Sequence, residues 1–311
     1  MENAKTSLNG YKLECEFKNV PVAFVNALRR IALAELPVVG LTNVEILENT
    51  SVLTHEMLRH RVESMPVNVK PEEVGVIRDT RLELKTGATD TPVDVTTDDF
   101  TVFGPRKEIL LKDRDLQEPG YFLRLAPGQT LVIKAALGLV SGSHVCVSTF
   151  RNHCTPETLK VQRGLWIDNG RDPREFDGFY YQTFYERDEN DRPFWFDFTL
   201  ESIGVLPAKD LLKMSVQTLK DKLVEFLKQP VEREEPGWYR IKAEGETFTL
   251  GQLVQDLLYR DKNVEFVSRD IGHPLLPKLV IRFQTKQQPE KVLETFKREA
   301  LELCENVLRS V

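Results

Sequence analysis

His55, Glu56 and His60 sit together in the run His55-Glu56-Met57-Leu58-Arg59-His60 and are the first side chains that could hold a metal. Two histidines and a glutamate on one helix face would suit zinc-assisted hydrolysis, with imidazoles as ligands and the carboxylate as base. That chemistry needs the histidines four residues apart. Arg59 occupies that position and His60 follows it, so on a helix the two rings point ~140° apart. A second ligand-type group is His144, Cys146, His153 and Cys154. His144 and Cys146 would share one side of a strand, and His153-Cys154 follows a turn. Neither a C-x-x-C pair nor a regular finger spacing is present. Buried strand thiols and ordinary polar histidines account for these residues. The phosphate cradles GxxxxGK[ST] and GxGxxG are missing, and no local motif singles out a nucleophile. The expectation is a chain with no catalytic residue, no bound metal and no cofactor.

Asn26, Arg29 and Arg30 offer binding rather than catalysis. They form one narrow polar stripe on a helix expected from Pro21 to Leu36, started by Asn19 and Pro21 and stopped by Pro37. Val22, Phe24, Val25, Leu28, Ile31, Leu33 and Leu36 make the rest of the helix apolar. A helix apolar on most of its circumference must be covered on more than one side. The two guanidinium groups suit bidentate contacts to a carboxylate or phosphate. The aromatic run Phe176, Phe179, Tyr180, Tyr181, Phe184 and Tyr185 could stack on bases, but aromatic packing on a sheet is the expected use.

The elements around these residues alternate in character. Leu13, Cys15 and Phe17 share one face of a half-buried strand, with Lys12, Glu14 and Glu16 on the other. From Pro71 to about Pro193 glycine and proline are frequent and short strand-like runs recur, as in a mainly β insert. Pro207 opens a long helix with apolar residues at Leu212, Val216, Leu219, Leu223 and Phe226; Pro289 opens another with Leu293, Phe296, Ala300, Leu303 and Val307. Such seams suit helices packed at shallow angles. Pro230 to Gly237 reads as a charged linker. Thr249 with Gln252 has the spacing of a capping box. Strand, apolar helix, strand and long amphipathic helix occur at both ends of the chain, once interrupted by the insert and once not.

The 311 residues are 41% hydrophobic and 29% charged, an ordinary globular mixture that excludes a disordered or fibrous chain. Forty-two basic and 48 acidic residues give a net charge of -6, which does not suit a dedicated phosphate-gripping protein. Four cysteines are too few for a disulfide scaffold, which implies a reducing compartment. No apolar run approaches the ~20 residues of a membrane span, and the N-terminus lacks a secretory apolar core. An intracellular location is expected.

Five motifs carry a family resemblance. Asn26-Ala27-Leu28-Arg29-Arg30-Ile31-Ala32-Leu33, followed by Pro37, resembles the hallmark of the alpha-like assembly subunits of multisubunit RNA polymerases. Asn49-Thr50-Ser51-Val52-Leu53-Thr54-His55-Glu56-Met57-Leu58-Arg59-His60-Arg61, then Met65-Pro66-Val67, resembles the second hallmark of the archaeal D and eukaryotic third-subunit type. His55 stands there where Asp is usual, and Arg59 where Ala is usual. Phe198 to Pro207 resembles the strand and turn that re-enter the dimerisation domain. The C-terminal part is similar to the smaller partner, the archaeal L or eukaryotic eleventh-subunit type, through Thr249-Leu250-Gly251-Gln252-Leu253 and Asp270-Ile271-Gly272-His273-Pro274-Leu275.

The resemblance implies an α+β fold: two pseudo-twofold-related α/β dimerisation units sharing a helical layer, with a mainly β insert in the first. Residues 1–49 with 196–229 would form the alpha-like unit, 50–195 the insert, 230–237 the linker and 238–311 the small-subunit-like unit. Val25, Leu28, Ala32, Leu219, Leu223, Leu250, Leu253, Phe296 and Leu303 would line the internal interface. Asn26, Arg29, Arg30, Glu56, His60 and Arg61 would face partners, namely the two largest catalytic polymerase subunits and a small subunit. No homodimer, no membrane and only indirect DNA contact are implied. Fusion of the two parts suggests a large DNA virus, with the protein in a viral factory, virion or host nucleus. An independent metal-dependent hydrolase and a free nucleic-acid binder are the competing readings.

Overall fold

The computed structural model describes residues 1–141, 145–273, 275 and 278–311. His144, of the ligand-type group, and Pro274, of the His-Pro-Leu turn, lie outside the described residues. In chain order the regular elements are β1 (Glu2–Ser7), β2 (Lys12–Lys18), α1 (Val22–Ala34), β3 (Pro37–Asn49), α2 (His55–Glu63), α3 (Val74–Asp79), β4 (Arg81–Thr86), β5 (Val93–Thr96), β6 (Phe100–Phe103), β7 (Tyr121–Leu125), β8 (Leu131–Ser141), β9 (Cys146–Asn152), α4 (Pro156–Asp168), α5 (Pro173–Gly178), β10 (Trp195–Ser202), α6 (Ala208–Leu227), β11 (Val231–Glu235), β12 (Trp238–Glu244), α7 (Phe248–Arg260), β13 (Val264–Asp270), β14 (Lys278–Thr285) and α8 (Pro289–Ser310). Helices and open sheets in this mixture make an α+β fold.

Two of the sheets repeat one topology. The first has strand order β1-β2-β10-β9 and the second β11-β12-β14-β13. Each begins with an antiparallel edge hairpin, passes through a buried helix (α1 or α7), returns as two strands and leaves through a long helix (α6 or α8). The β insert falls between α1 and β9, where the second copy runs directly from α7 to β13. The segment expected as a linker, Pro230 to Gly237, is therefore mostly strand: β11 is the counterpart of β1. It pairs with β12 from Val231 opposite Ile241 to Glu235 opposite Trp238. Gly237 makes the turn with φ +83, a conformation that a side chain disfavours. Arg240 binds Glu232 and Glu234, each at 2.6 Å, so these two carboxylates are neutralised across the hairpin. Hydrogen bonds from Lys242 and Arg240 hold the Glu232 carboxyl below its usual range.

Compactness divides the chain into residues 1–32, 148–200 and 212–311 as one unit and 33–147 with 201–211 as the other. Both repeats lie in the first unit. Leu13, Cys15 and Phe17 point into its core, as their alternation predicts, and Phe17 meets Phe198 edge to face at 5.4 Å. The α6 seam of Leu212, Val216, Leu219, Leu223 and Phe226 is buried throughout. On α8 the most buried line is Val292, Phe296, Ala300, Cys304 and Val307, and Leu293 and Leu303 are only half-buried beside it. The stripe advances mostly by four residues, so it leaves the expected alternation at both leucines. Helix α7 begins one residue before Thr249, with Thr247 as its N-cap, so Thr249 is not the start of a capping box.

Residues 156–178 contain α4 and α5, two helices in the last part of the segment expected as a mainly β insert (50–195), and residues 148–195 belong to the first unit with the repeats. Only Trp166 of α4 is fully buried, while Val161, Leu165 and Ile167 are exposed, so the helix shows no clean apolar stripe. Thr155 caps it by accepting from the Thr158 amide. The aromatic run, expected to pack on a sheet, runs from Phe176 in α5 through a short 3-10 turn at Tyr180–Thr183. It packs on Trp166: Phe176 lies at 5.9 Å and Tyr180 at 4.5 Å between ring centroids.

The second unit is built on the sheet β3-β8-β4-β6, with the hairpin-like pair β5-β7 beside it in sequence. Strand β3 pairs with β8 from Pro37 opposite Ser141 to Asn49 opposite Leu131, so it belongs with this sheet rather than with α1. Leu58 and Val62 of α2 join Leu82, Leu84, Leu131 and Ile133 in its core. Gly104 abuts Thr80, which is fully buried; a Cβ on Gly104 would lie 2.5 Å from Thr80 Oγ1 and 3.1 Å from its Cα. Because one of those atoms is backbone, Gly104→Ala is expected to destabilise the chain by about 1–3 kcal/mol. Urea unfolding measures this, and an unchanged midpoint would mean that the 104–106 loop moves aside freely.

Candidate partner-binding site

Helix α1 starts where Pro21 supplies the first acceptor, taking hydrogen bonds from the Phe24 and Val25 amides. Ala23, Phe24, Val25, Ala27, Leu28, Ile31 and Ala32 are buried, which leaves little besides Val22, Asn26, Arg29 and Arg30 to meet anything new. Arg29 donates from Nε (3.1 Å) and Nη2 (3.0 Å) to Asn26 Oδ1 one turn earlier. The half-buried amide thereby fixes the guanidinium in one orientation. Arg30 does something different: its Nε donates to Thr249 Oγ1 of α7 at 2.7 Å. The two arginines of the stripe are thus divided. One is held within its own helix and the other reaches the second repeat.

Further contacts join the repeats within the first unit. Lys220 of α6 binds Glu305 of α8 at 3.2 Å, and Lys222 binds Glu246 at 3.0 Å. Phe226 and Phe296 meet edge to face at 6.4 Å. Val25, Leu28, Ala32, Leu219, Leu223, Leu250 and Leu253 are all buried in this unit.

In the second unit the run Asn49 to Leu53 folds into a local polar turn. Asn49 Oδ1 accepts from the Ser51 amide (2.9 Å) and hydroxyl (2.7 Å), while Asn49 Nδ2 donates to the Leu53 carbonyl (2.8 Å). Asn and Ser at this spacing are what an Asx-type turn uses. The turn carries β3 into α2, whose N-cap Thr54 accepts from the Met57 amide. Leu58 and Val62 anchor α2, so His55, Glu56, Met57, Arg59 and His60 are exposed. Glu56 in the first turn and Arg61 in the last complement the helix dipole, with His60 beside Arg61. Arg61 is tied down by a hydrogen bond to the Phe122 carbonyl.

Beside His60 and Arg61 lies a cleft of about 890 Å³, whose wall includes Lys112, Asp113, Arg114 and Asp115. Arg114 spans it to Glu201 (3.5 Å) and the Ser202 carbonyl (3.4 Å). Sequence reasoning did not find these four residues, because the irregular 104–120 segment has no periodicity that marks one side of it.

Nothing in these arrangements is an activated nucleophile. Burial pushes the thiols of Cys15 and Cys304 up to about 12 and that of Cys146 to about 11, so they stay protonated at neutral pH. Burial, with Glu186 nearby, also raises the Cys154 thiol. His153 pairs with Asp197, and Cys154 donates to the Thr155 carbonyl. His55 and His60 stay on the exposed side of α2.

A family model described as the RNA polymerase Rpb3/Rpb11 dimerisation domain matches residues 14–223. A second model of the same description matches residues 239–310. The chain belongs to the Rpb3/Rpb11 dimerisation-domain family. Each match covers most of one repeat, the first running from β2 into α6 with the insert inside it and the second from β12 to the end of α8. Among curated relatives, the DNA-directed RNA polymerase subunit Rpo3 of Pyrobaculum aerophilum is 29% identical over 137 residues, covering 40% of this chain and 50% of that one. Rpo3 of Pyrobaculum arsenaticum is 31% identical over 139 residues, 40% and 49% of the two chains. The human DNA-directed RNA polymerases I and III subunit RPAC1 is 37% identical over 59 residues, 19% and 17%. The chain spans about half the length of the Pyrobaculum Rpo3 relatives it matches. No helix among the described residues is long and apolar enough to cross a membrane.

Proposed function

We propose that this chain is a non-catalytic assembly subunit of a DNA-directed RNA polymerase, with an alpha-like half and a small-subunit-like half fused into an internal dimer. The observation that carries this reading is the tandem family match over two copies of one topology. The Arg30–Thr249, Lys220–Glu305 and Phe226–Phe296 contacts between the copies support it. Such a subunit docks the two large catalytic subunits, which carry the nucleotide chemistry, and meets DNA only through them. The net charge of -6 fits a protein-docking role better than a phosphate-gripping one. Copy number in the assembled polymerase tests the proposal. Native mass spectrometry should find one copy, with the two large subunits bound; two copies would overturn the fusion.

Asn26, Arg29 and Arg30 on α1, and Glu56, His60 and Arg61 on α2, are the docking residues under this reading. Arg29→Ala combined with Arg30→Ala is expected to leave the chain folded and to weaken incorporation into polymerase. Losing charge-assisted contacts while a partner carboxylate stays buried costs on the order of 2–5 kcal/mol. Arg30→Ala also removes the hydrogen bond to Thr249, a loss of about 0.5–1.5 kcal/mol within the chain. Co-purification of tagged variant with the large subunits measures the effect, and wild-type recovery would mean that the stripe makes only its contacts within the chain and docks no partner.

A further inference from the structure

The outward face of the first sheet carries a side-chain cluster that the docking reading does not use. Glu16 on β2, Asp197 on β10 and His153, one residue beyond β9, each bring a ligand atom to within 4.8 Å of the others. The strand order β2-β10-β9 makes these three neighbouring strands. The alternation that buries Cys15, Phe17, Phe196 and Phe198 turns Glu16 and Asp197 to the other side. Among the described residues this is the one group in which three His, Cys, Asp or Glu side chains converge in this way.

We propose that Glu16, His153 and Asp197 bind a divalent transition-metal ion of the zinc type. One imidazole nitrogen with two carboxylate oxygens is a donor set for such an ion, whereas calcium and magnesium prefer oxygen alone. Three protein ligands leave a fourth position for water, so the site is exchangeable rather than a closed structural one. The surroundings already hold the ligands in place, as supporting hydrogen bonds do in metal sites. Asn3 Nδ2 donates to Glu16 Oε1 and Trp195 Nε1 donates to Glu16 Oε2, both at 3.0 Å. Arg151 Nε donates to Asp197 Oδ2 at 2.9 Å. The His153 ring stacks on Trp195, with centroids 3.9 Å apart and planes 19° from parallel. His153 Nδ1 lies 2.6 Å from Asp197 Oδ1, a hydrogen bond that already brings these two ligands together. A metal would bind the neutral imidazole and both carboxylates in place of that hydrogen bond. The ion would fasten the chain leaving β9 to the sheet two residues before Thr155, the N-cap of α4.

The sequence offered His153 as a ligand but with the wrong companions. Its neighbour Cys154 is the donor that a test must set apart, and Arg151 is the cation that competes for Asp197. Zn²⁺ titration of the tag-free full chain, by calorimetry with elemental analysis after dialysis, should show one saturable equivalent. His153→Gln, Asp197→Asn and Glu16→Gln should each weaken binding by about tenfold or more. Cys154→Ser should leave it unchanged, and Arg151→Gln should keep or tighten it. A readout on the unaltered chain removes any dependence on variant folding: Zn²⁺ should shield His153 from diethylpyrocarbonate, while exposed His55 and His60 react as before. Absence of saturable binding, loss of it in Cys154→Ser alone, or unchanged reactivity of His153 under Zn²⁺ would overturn the site.

Discussion

Phe226→Ala is expected to destabilise the chain by about 3–5 kcal/mol, and Phe296→Ala by a similar amount. Each side chain is at most 2% exposed, so truncation opens a cavity where water cannot enter cheaply. The two rings belong to different repeats, one on α6 and one on α8, and meet edge to face at 6.4 Å with planes at 71°. Their effects should therefore not add. Aromatic pairs of this geometry contribute about 0.5–1.5 kcal/mol beyond the area they bury, and that part is lost once in the double variant rather than twice. Guanidinium unfolding of the wild type, both single variants and the double variant gives the coupling directly. Strict additivity would mean that the repeats do not stabilise one another through these rings.

What could be read from the sequence was what short-range periodicity encodes. Leu13, Cys15 and Phe17 gave away β2, and the four-three spacing from Leu212 to Phe226 gave away the buried line of α6. Both depend on neighbours within two turns or one strand. The features that stayed hidden depend on residues far apart in the chain. Glu232, Glu234 and Glu235 between two prolines look like a solvated linker until Arg240 and Lys242 arrive from the next strand to pair with Glu232 and Glu234. Thr249 looks like a cap until Arg30, 219 residues away, occupies its hydroxyl. Helix α4 hides because its apolar residues are partly on the outside, so burial there follows tertiary packing on Trp166 rather than a stripe. His153 shows the same limit at the candidate metal site: its partner Asp197 lies 44 residues further on. The turn from Asn49 to Leu53 is an intermediate case. Its residue types are ordinary turn formers, and only the family resemblance marked that particular run.

Cutting the chain between Gln229 and Pro230 should turn one stable protein into two fragments that need each other. Residues 1–229 would keep α1 and α6 but lose α7 and α8, uncovering part of the buried surface around Leu219, Leu223 and Phe226. An exposed apolar patch of this kind drives aggregation or pairing of like copies. In the intact chain the tether supplies an effective concentration that can reach the order of millimolar, so assembly does not depend on protein concentration. In the cut form it does. The expected result is that 1–229 alone aggregates or dimerises, and that 230–311 in trans restores a soluble one-to-one complex that dissociates on dilution. The position of the cut matters because β11 is the edge strand of the second sheet. Fragments divided after Gly237 leave that strand on the wrong piece and should reassemble less tightly than those divided before Pro230. Size-exclusion chromatography with light scattering distinguishes these outcomes. A monodisperse 1–229 monomer that ignores the second fragment would show that the first repeat covers its own apolar face, and the internal-dimer proposal would fail with it.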